Sequence, residues 1–154
     1  MDLQSAINQL NKMRFLGEDD SIEVFEDILS EIYYNGDLTV IKELCSIFED
    51  DIDFPSASEM IMKCIIHLCH KCGERDGIHE LVFNMNRMFP QGKKCAVKLT
   101  RMIVNSESLI QPFTNELKKV ESPAKNLIVE ILTEIKNHNS DSYEEKVDFI
   151  LQSI

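Results

Sequence analysis

The chain has 154 residues, 44% of them hydrophobic, which is enough for one domain with a substantial core and too few for two independent domains. Its 16 Lys and Arg against 27 Asp and Glu give a formal net charge of −11, which argues against nucleic acid or an anionic membrane as a direct ligand. Five Gly and four Pro are too few for the many turns of a β-sandwich or barrel. We therefore expect a single all-α domain over residues 1–154.

The compartment is indicated by what the chain lacks. Its first residues, Met1-Asp2-Leu3, do not form the basic region and apolar run of a secretory signal. No apolar stretch reaches the roughly 18 residues that a membrane span requires. The five cysteines are irregularly spaced, which is typical of reduced thiols rather than of a disulfide framework. We expect a cytoplasmic protein.

Apolar residues recur at spacings of three and four along most of the chain, which is the pattern of amphipathic helices. The first three predicted helices cover residues 3–15, 22–35 and 38–48. Ser21 and Asp37 are the expected N-cap residues of the second and third. The turn between these two helices is so short that they should pack as an antiparallel hairpin.

Two capping boxes, in which a Ser is followed three residues later by a Glu, predict the starts of the fourth and last helices. They are Ser56 with Glu59 and Ser142 with Glu145. In such a box the Ser side chain accepts a hydrogen bond from the first helical turn, and the Glu reaches back to the backbone of the Ser. The fourth helix should extend to Cys72.

The helices between these two are delimited by Gly, Pro and Asp. They are predicted over residues 77–89 and 93–104, from Gln111, and from Ser122-Pro123. The helix at Gln111 could instead begin near Ser106 and be kinked at Pro112, but the later start is favoured. Eight or nine helices result, either as stacked antiparallel hairpins of the HEAT-like α-solenoid kind or as an irregular helical bundle.

One segment contains the residue types that bind zinc, namely His67, Cys69 and Cys72. No second pair of cysteines completes a set of four ligands, and Cys64 and Leu68 share a helical stripe with Cys72, as small buried thiols do. The chain contains no GxGxxG, GxxxxGK[ST] or GxSxG motif. We expect core cysteines, no metal, no cofactor and no enzyme, with a thiol or zinc hydrolase at this segment as the alternative.

The negative charge is unevenly distributed along the chain. Residues 1–60 hold 15 acids and 3 bases, a net of −12, whereas residues 61–101 have a net charge of +5 and residues 102–154 of −4. Acids in loops and first helical turns can serve solubility and the helix dipole alone. Those at 49–51 are placed at the predicted C-terminal end of a helix, where they oppose the dipole, and this indicates binding.

An antiparallel hairpin would bring both acidic clusters of the first 60 residues to the same edge of the fold. That edge should attract a basic protein partner. Its predicted binding residues, with the last as an aromatic anchor, are Asp19, Asp20, Glu23, Glu26, Asp27, Glu49, Asp50, Asp51, Asp53 and Phe54.

Several helical segments also resemble a known family. They are EVFEDILSEIY at residues 23–33, Gly36-Asp37, IKELCSIFEDD at residues 41–51, Met88-Phe89-Pro90 and LTRMIVNSE at residues 99–107. These segments look like those of the bacterial family immunity protein 30, and the resemblance spans roughly residues 20 to 135. It carries no catalytic residue over to this chain, and the cysteine-rich stretch from Cys64 to Cys72 departs from it.

The resemblance implies an all-helical cytosolic protein, encoded beside a polymorphic or contact-dependent toxin, that binds and blocks the toxin's C-terminal domain. A toxin that attacks nucleic acid must be basic to hold phosphate, so an acidic edge could mask its active site or substrate cleft. The expected complex contains one copy of each chain, with this protein monomeric outside it. The alternative is a helical-repeat adaptor that binds a peptide or helix of a partner in an apolar groove.

Overall fold

The structure, a computed structural model, describes residues 2–52, 54–138 and 140–154. Over these residues it contains nine α-helices, one 3₁₀ helix and no strand, which confirms the predicted all-α class. The elements are α1 (Leu3–Lys12), α2 (Ile22–Asn35), α3 (Thr39–Cys45), α4 (Pro55–Lys71), α5 (Glu74–Asn84), the 3₁₀ helix (Met85–Met88), α6 (Lys93–Val104), α7 (Ile110–Leu117), α8 (Ala124–His138) and α9 (Ser140–Ser153).

The helices form a bundle of two rows. Helices α1, α3, α5 and α7 pack side by side in one row, while in the other α2 packs beside α4, and α6 beside α8. Helices α2 and α4 run in the same direction, as contacts between their C-terminal ends show. The ring of Tyr33 stacks on that of His67. Lys71 Nζ, at the end of α4, donates to the carbonyl oxygens of Tyr34 and Gly36 at the end of α2. Helix α9 covers α8 and α6 at the end of the bundle.

The predicted hairpin of the second and third helices is wrong. Helix α2 packs chiefly on α1 and α4, and α3 contacts α1, α4 and α5 instead. The reason is the length of α3, which has only seven residues and ends at Cys45. The amide groups of Ser46 and Ile47 bond to carbonyl groups three residues back, so the last turn tightens and the chain leaves the helix.

Several predicted helix ends agree with the structure. The Ser21 side chain accepts from the amide of Val24 at 3.4 Å and caps α2. Asp37 Oδ1 accepts from the amide of Thr39 at 2.9 Å at the start of α3. Helix α6 has the predicted bounds, and α7 begins at Ile110, close to the favoured start.

Both predicted capping boxes are wrong, because each helix begins before its proposed cap. Helix α4 starts at Pro55, because the fixed backbone angle of proline suits the first helical position. No side chain caps this start. Helix α9 starts at Ser140, two residues before Ser142. Helix α5 starts at Glu74, three residues before the predicted start at residue 77. Gly73 adopts a φ of 99°, which a side chain would disfavour, and this conformation turns the chain from the end of α4 into α5.

A single apolar core lies between the rows and includes the fully buried rings of Phe25, Phe48 and Phe113. Helices α4 and α5 approach each other closely at Gly77, where a Cβ atom would lie 2.5 Å from the Cα of Cys69. The glycine is therefore required by packing, since only a hydrogen fits there. Among the described residues, no helix combines the length and the apolar character needed to cross a membrane.

Candidate functional site

Two of the loops that carry acidic residues meet at one edge of the bundle. Arg14, just after α1, donates from Nε to Glu49 Oε1 at 3.1 Å, and Glu49 follows α3. The Glu49 side chain is only 13% exposed, so this ion pair is partly shielded from water. The contact joins the loop between α1 and α2 to the loop between α3 and α4.

The loop between α1 and α2 is held by its own residues. Leu16 is buried and adopts a φ of 47°, a left-handed conformation that a leucine accepts only where packing fixes it. Asp20 Oδ2 then accepts from the amide of Gly17 at 3.0 Å and closes a tight turn. Between Leu16 and Asp20, the side chains of Glu18 and Asp19 are exposed and accept no hydrogen bond from the described part of the protein.

The loop between α3 and α4 is held by Asp50. Its carboxylate accepts from the amides of Lys94 at 2.8 Å and Cys95 at 3.0 Å, which are the unsatisfied donors at the start of α6. The Asp50 amide donates to the carbonyl of Gln91 at 2.9 Å. Asp50 therefore caps a helix distant in sequence, and its exposed neighbour Asp51 is left facing solvent.

The role of Asp50 corrects the interpretation of the acids at 49–51. They do not oppose the dipole of α3, which ends four residues before Glu49. Glu49 instead neutralises Arg14, and Asp50 stabilises the positive end of α6. The placement of Glu49 and Asp50 is thus explained by folding, and of the three acids Asp51 is the one that is exposed.

We expect Asp50→Ala to lower the free energy of unfolding by about 1 to 2 kcal/mol, because two helical amides lose their acceptor. Asp51→Ala is the matched control, since its exposed side chain makes no hydrogen bond in the described structure. It should change stability by less than about 0.5 kcal/mol. Urea unfolding of both variants checks this, and equal losses would contradict the capping role.

The structure places the other predicted binding residues as follows. Glu23, Glu26 and Asp27 are exposed along the first two turns of α2. Phe54 immediately precedes α4 and is 46% exposed, as an aromatic anchor would require. Asp53 lies outside the residues that the structure describes.

We use the name acidic edge for the exposed acids of these two loops and of the start of α2. Its members are Glu18, Asp19, Glu23, Glu26, Asp27 and Asp51. Glu18 is included because it is exposed. Asp20, Glu49 and Asp50 are not members, because their carboxylates accept hydrogen bonds that hold the loops in place.

The cysteines lie in the core, as the helical stripe predicts. Cys45, Cys64, Cys69 and Cys95 are buried, and Cys72 is half-buried. Burial raises the pKa of the Cys45, Cys64 and Cys69 thiols to about 12 and that of Cys95 to about 11. These four thiols are protonated at neutral pH and hence poor nucleophiles.

His67 is not turned toward a metal site, because its ring stacks on Tyr33 with centroids 3.6 Å apart. In the parts of the chain that the structure describes, no three His, Cys, Asp or Glu side chains form a group able to hold a metal ion. The thiol or zinc hydrolase alternative therefore finds no assembled site among these residues.

One buried polar cluster escaped the sequence analysis. Glu116 on α7 is 1% exposed, and its carboxylate accepts from Lys119 Nζ at 3.0 Å and lies 2.7 Å from His79 Nδ1 on α5. Burial raises the pKa of Glu116, but the hydrogen bonds from His79 and Lys119 outweigh it, and the net shift is below the ordinary 4.5. The cluster ties α5 to α7, a contact between residues 37 apart that no local pattern signals.

The lowered pKa of Glu116 predicts how stability depends on pH. Its ionised form is favoured by folding, so the stability it contributes is present above pH 4.5 and is lost as the pH falls through its lower folded pKa. Glu116→Gln should therefore be less stable than the wild type at pH 7, and the difference should shrink below pH 4.5. Urea unfolding across that range measures it, and a difference that did not vary with pH would contradict this assignment.

Comparison with known proteins identifies the family of the chain. The family model described as Immunity protein 30 matches residues 12–113, about two thirds of the chain. The chain belongs to the immunity protein 30 family. Searches with the whole chain found no match among curated proteins or among solved structures.

The family match confirms the resemblance and redefines its extent. It begins before the expected residue 20 and ends at 113, inside α7, so α8 and α9 lie beyond it. The acidic edge lies entirely within the matched part, as do the loops that hold it. As a member of the immunity protein 30 family, the chain acts against a toxin and has a toxin as its partner, and such families are typically non-catalytic.

Proposed function

We propose that this protein binds the C-terminal domain of a cognate polymorphic or contact-dependent toxin, a basic nuclease, and neutralises it by covering its active site or substrate cleft with the acidic edge. The observation that carries the proposal is the joining of the two acidic loops by Arg14 and Glu49. The encounter takes place in the cytoplasm, between one copy of each chain.

Electrostatics favours this partner. A nuclease needs a basic cleft to hold phosphate. Electrostatic attraction between that cleft and an acidic surface raises the association rate above that of uncharged surfaces. Glu18, Asp19 and Asp51 are free to supply this charge, because each is exposed and makes no ion pair in the described structure. The acids thus imitate the phosphates of the nuclease substrate.

The support beneath the acidic edge matters for affinity as well. Asp20 and Asp50 fix their loops through backbone hydrogen bonds, so little conformational entropy remains to be lost when a partner binds. Phe54 adds an exposed ring near the same loop, which could provide the apolar contact at the centre of the interface.

The helical-repeat adaptor requires an apolar channel, and the groove between α2 and α4 does not supply one. That groove has a volume of about 290 Å³ and a mixed lining. Leu29, Tyr33 and Met60 share it with the charged Glu26 and Lys63. Such a groove suits a polar contact better than the apolar face of a helix.

The proposal is tested with the toxin domain encoded beside this gene, purified alone and with this protein. We expect an equimolar amount of this protein to abolish cleavage of nucleic acid, and the complex to exclude labelled nucleic acid in a mobility assay. A ternary complex with nucleic acid would contradict masking of the cleft. A bound toxin that kept its activity would contradict neutralisation, and a toxin domain without nuclease activity would contradict the assigned substrate.

A further inference from the structure

A second groove, between α4 and α6, carries the opposite charge from the acidic edge. It has a volume of about 400 Å³ and is lined by Met62 and Met102, with Tyr143 of α9 closing one side. Three cations also line it, Lys63 from α4 and Lys98 and Arg101 from α6. In a chain with a net charge of −11, such a cluster of bases is unexpected.

The bases on α6 follow one helical face. Lys94, Lys98 and Arg101 are spaced by four and three residues, so they project on the same side of α6. Lys94 and Lys98 also line the adjoining depression beside Pro55, together with the acids Glu49 and Asp50. Of the seven ion pairs among the described residues, none includes these three bases or Lys63. By contrast, Lys93 on the same helix pairs with Glu130 at 3.3 Å.

Arg101 is not neutralised by an ion pair among the described residues. Its Nε atom is buried and has no hydrogen-bond partner in the described structure. The residue as a whole is only partly buried. A guanidinium group without an ion pair is best satisfied by a carboxylate that accepts two hydrogen bonds. Among the described residues that line the groove, Glu59 supplies the single carboxylate against three cations.

We propose that the groove between α4 and α6 binds an acidic segment of a protein partner, with a carboxylate on Arg101 and an apolar side chain against Met102 and Tyr143, above the buried Met62. The long negative charge of nucleic acid is a poor fit, since the rest of the chain would repel it. A short acidic peptide segment avoids that repulsion and also uses the apolar lining. This proposal does not depend on the acidic edge binding a toxin.

The test uses a Glu-rich octapeptide containing one Leu and one Phe, with a twin in which every Glu is replaced by Gln. Methyl NMR of the protein labelled at its methionines reports where the peptide binds. We expect the signals of Met62 and Met102 to shift, while that of Met60, in the groove between α2 and α4, stays in place. The Gln twin should produce no shift.

A double variant, Lys98→Gln with Arg101→Gln, should weaken peptide binding at least about tenfold, because it removes two charge-assisted contacts. The matched control is Lys93→Gln with Arg75→Gln, which removes the same two residue types outside the groove. Lys98→Gln alone, at an exposed residue, should still weaken binding if the double variant folds poorly.

Three results with the peptides and variants would overturn the proposal, and a fourth would come from phosphate. The first three are an absence of shifts at Met62 and Met102, equal binding by the Gln twin, and a control variant that loses as much affinity as the double variant. Inorganic phosphate provides the last comparison. If phosphate alone shifted both methionine signals as the peptide does, the groove would be a site for small anions and not for a peptide segment.

Discussion

Replacing Glu23, Glu26 and Asp27 together, by Gln, Gln and Asn, should slow association with the toxin domain by about 10-fold to 100-fold at low salt. The three side chains are exposed along the start of α2, so they contribute to the field that draws in a basic partner before contact. The effect should shrink as salt is raised, because exposed charges are screened over about 8 Å at physiological ionic strength. Stopped-flow measurement of the association rate against salt concentration checks it.

The control for this variant is available on α9. Asp141, Glu144 and Glu145 are also exposed, and Asp141 occupies the first helical turn as Glu23 does in α2. Neutralising them changes the net charge from −11 by the same three units, but outside the part of the chain that the family model matches. We expect this variant to associate at nearly the wild-type rate. Equal slowing by both variants would mean that only total charge matters.

Gly77→Ala should lower the free energy of unfolding by about 2 kcal/mol, with a fall in melting temperature of about 4 to 8 °C. The added Cβ would meet backbone, the Cα of Cys69 at 2.5 Å, and backbone cannot rotate away as a flexible side chain can. Helices α4 and α5 must therefore separate, which loosens the contacts of Leu68 and Leu81 around them. The higher helix propensity of alanine offsets only about 1 kcal/mol of this cost.

Gly17→Ala is the matched control for the packing of Gly77. A Cβ atom there would find its nearest neighbour, Asp20 Oδ2, at an ordinary 3.8 Å. We expect a change in stability of less than about 1 kcal/mol, in the stabilising direction, since alanine restricts the unfolded chain. Thermal unfolding of the two variants side by side is the measurement. Similar melting temperatures for both would contradict the close approach of α4 and α5.

The elements that local patterns determine could be predicted from the sequence. The helical pattern predicts α6 over residues 93–104, its observed bounds, and in the structure Gly92 and Asn105 stand at its two ends. The sequence predicts α2 equally well, since Ser21 caps one end and Gly36 follows the other. In both helices, the residues that end the helix are adjacent to it in sequence.

The features that depend on distant contacts could not be predicted. The sequence around Asp50 predicts an acid at the end of a helix. Its role as the cap of α6 depends on Lys94 and Cys95, which follow it by 44 and 45 positions in the sequence. The pairing of His79 with Glu116 is equally remote. The reason given for binding by the acids at 49–51 is thus wrong, because the folded structure uses Glu49 and Asp50 for stability.

The predicted start of a helix is wrong where two local signals compete. At α4 the sequence offers both Pro55 and a capping box at Ser56, and proline prevails because its fixed φ already matches a helix. The box would have required Ser56 to stay outside the helix, in an extended conformation. The same choice between adjacent starts arose at α9, where the helix begins at Ser140.

The docking position of the toxin is the central claim, and amide hydrogen exchange of this protein with and without the toxin domain tests it most directly. We expect binding to slow exchange in the two segments that form the acidic edge, residues 17–27 and 47–54, while α8 and α9 exchange as in the free protein. Protection confined to α8 and α9, with both segments exchanging as in the free protein, would contradict docking at the acidic edge.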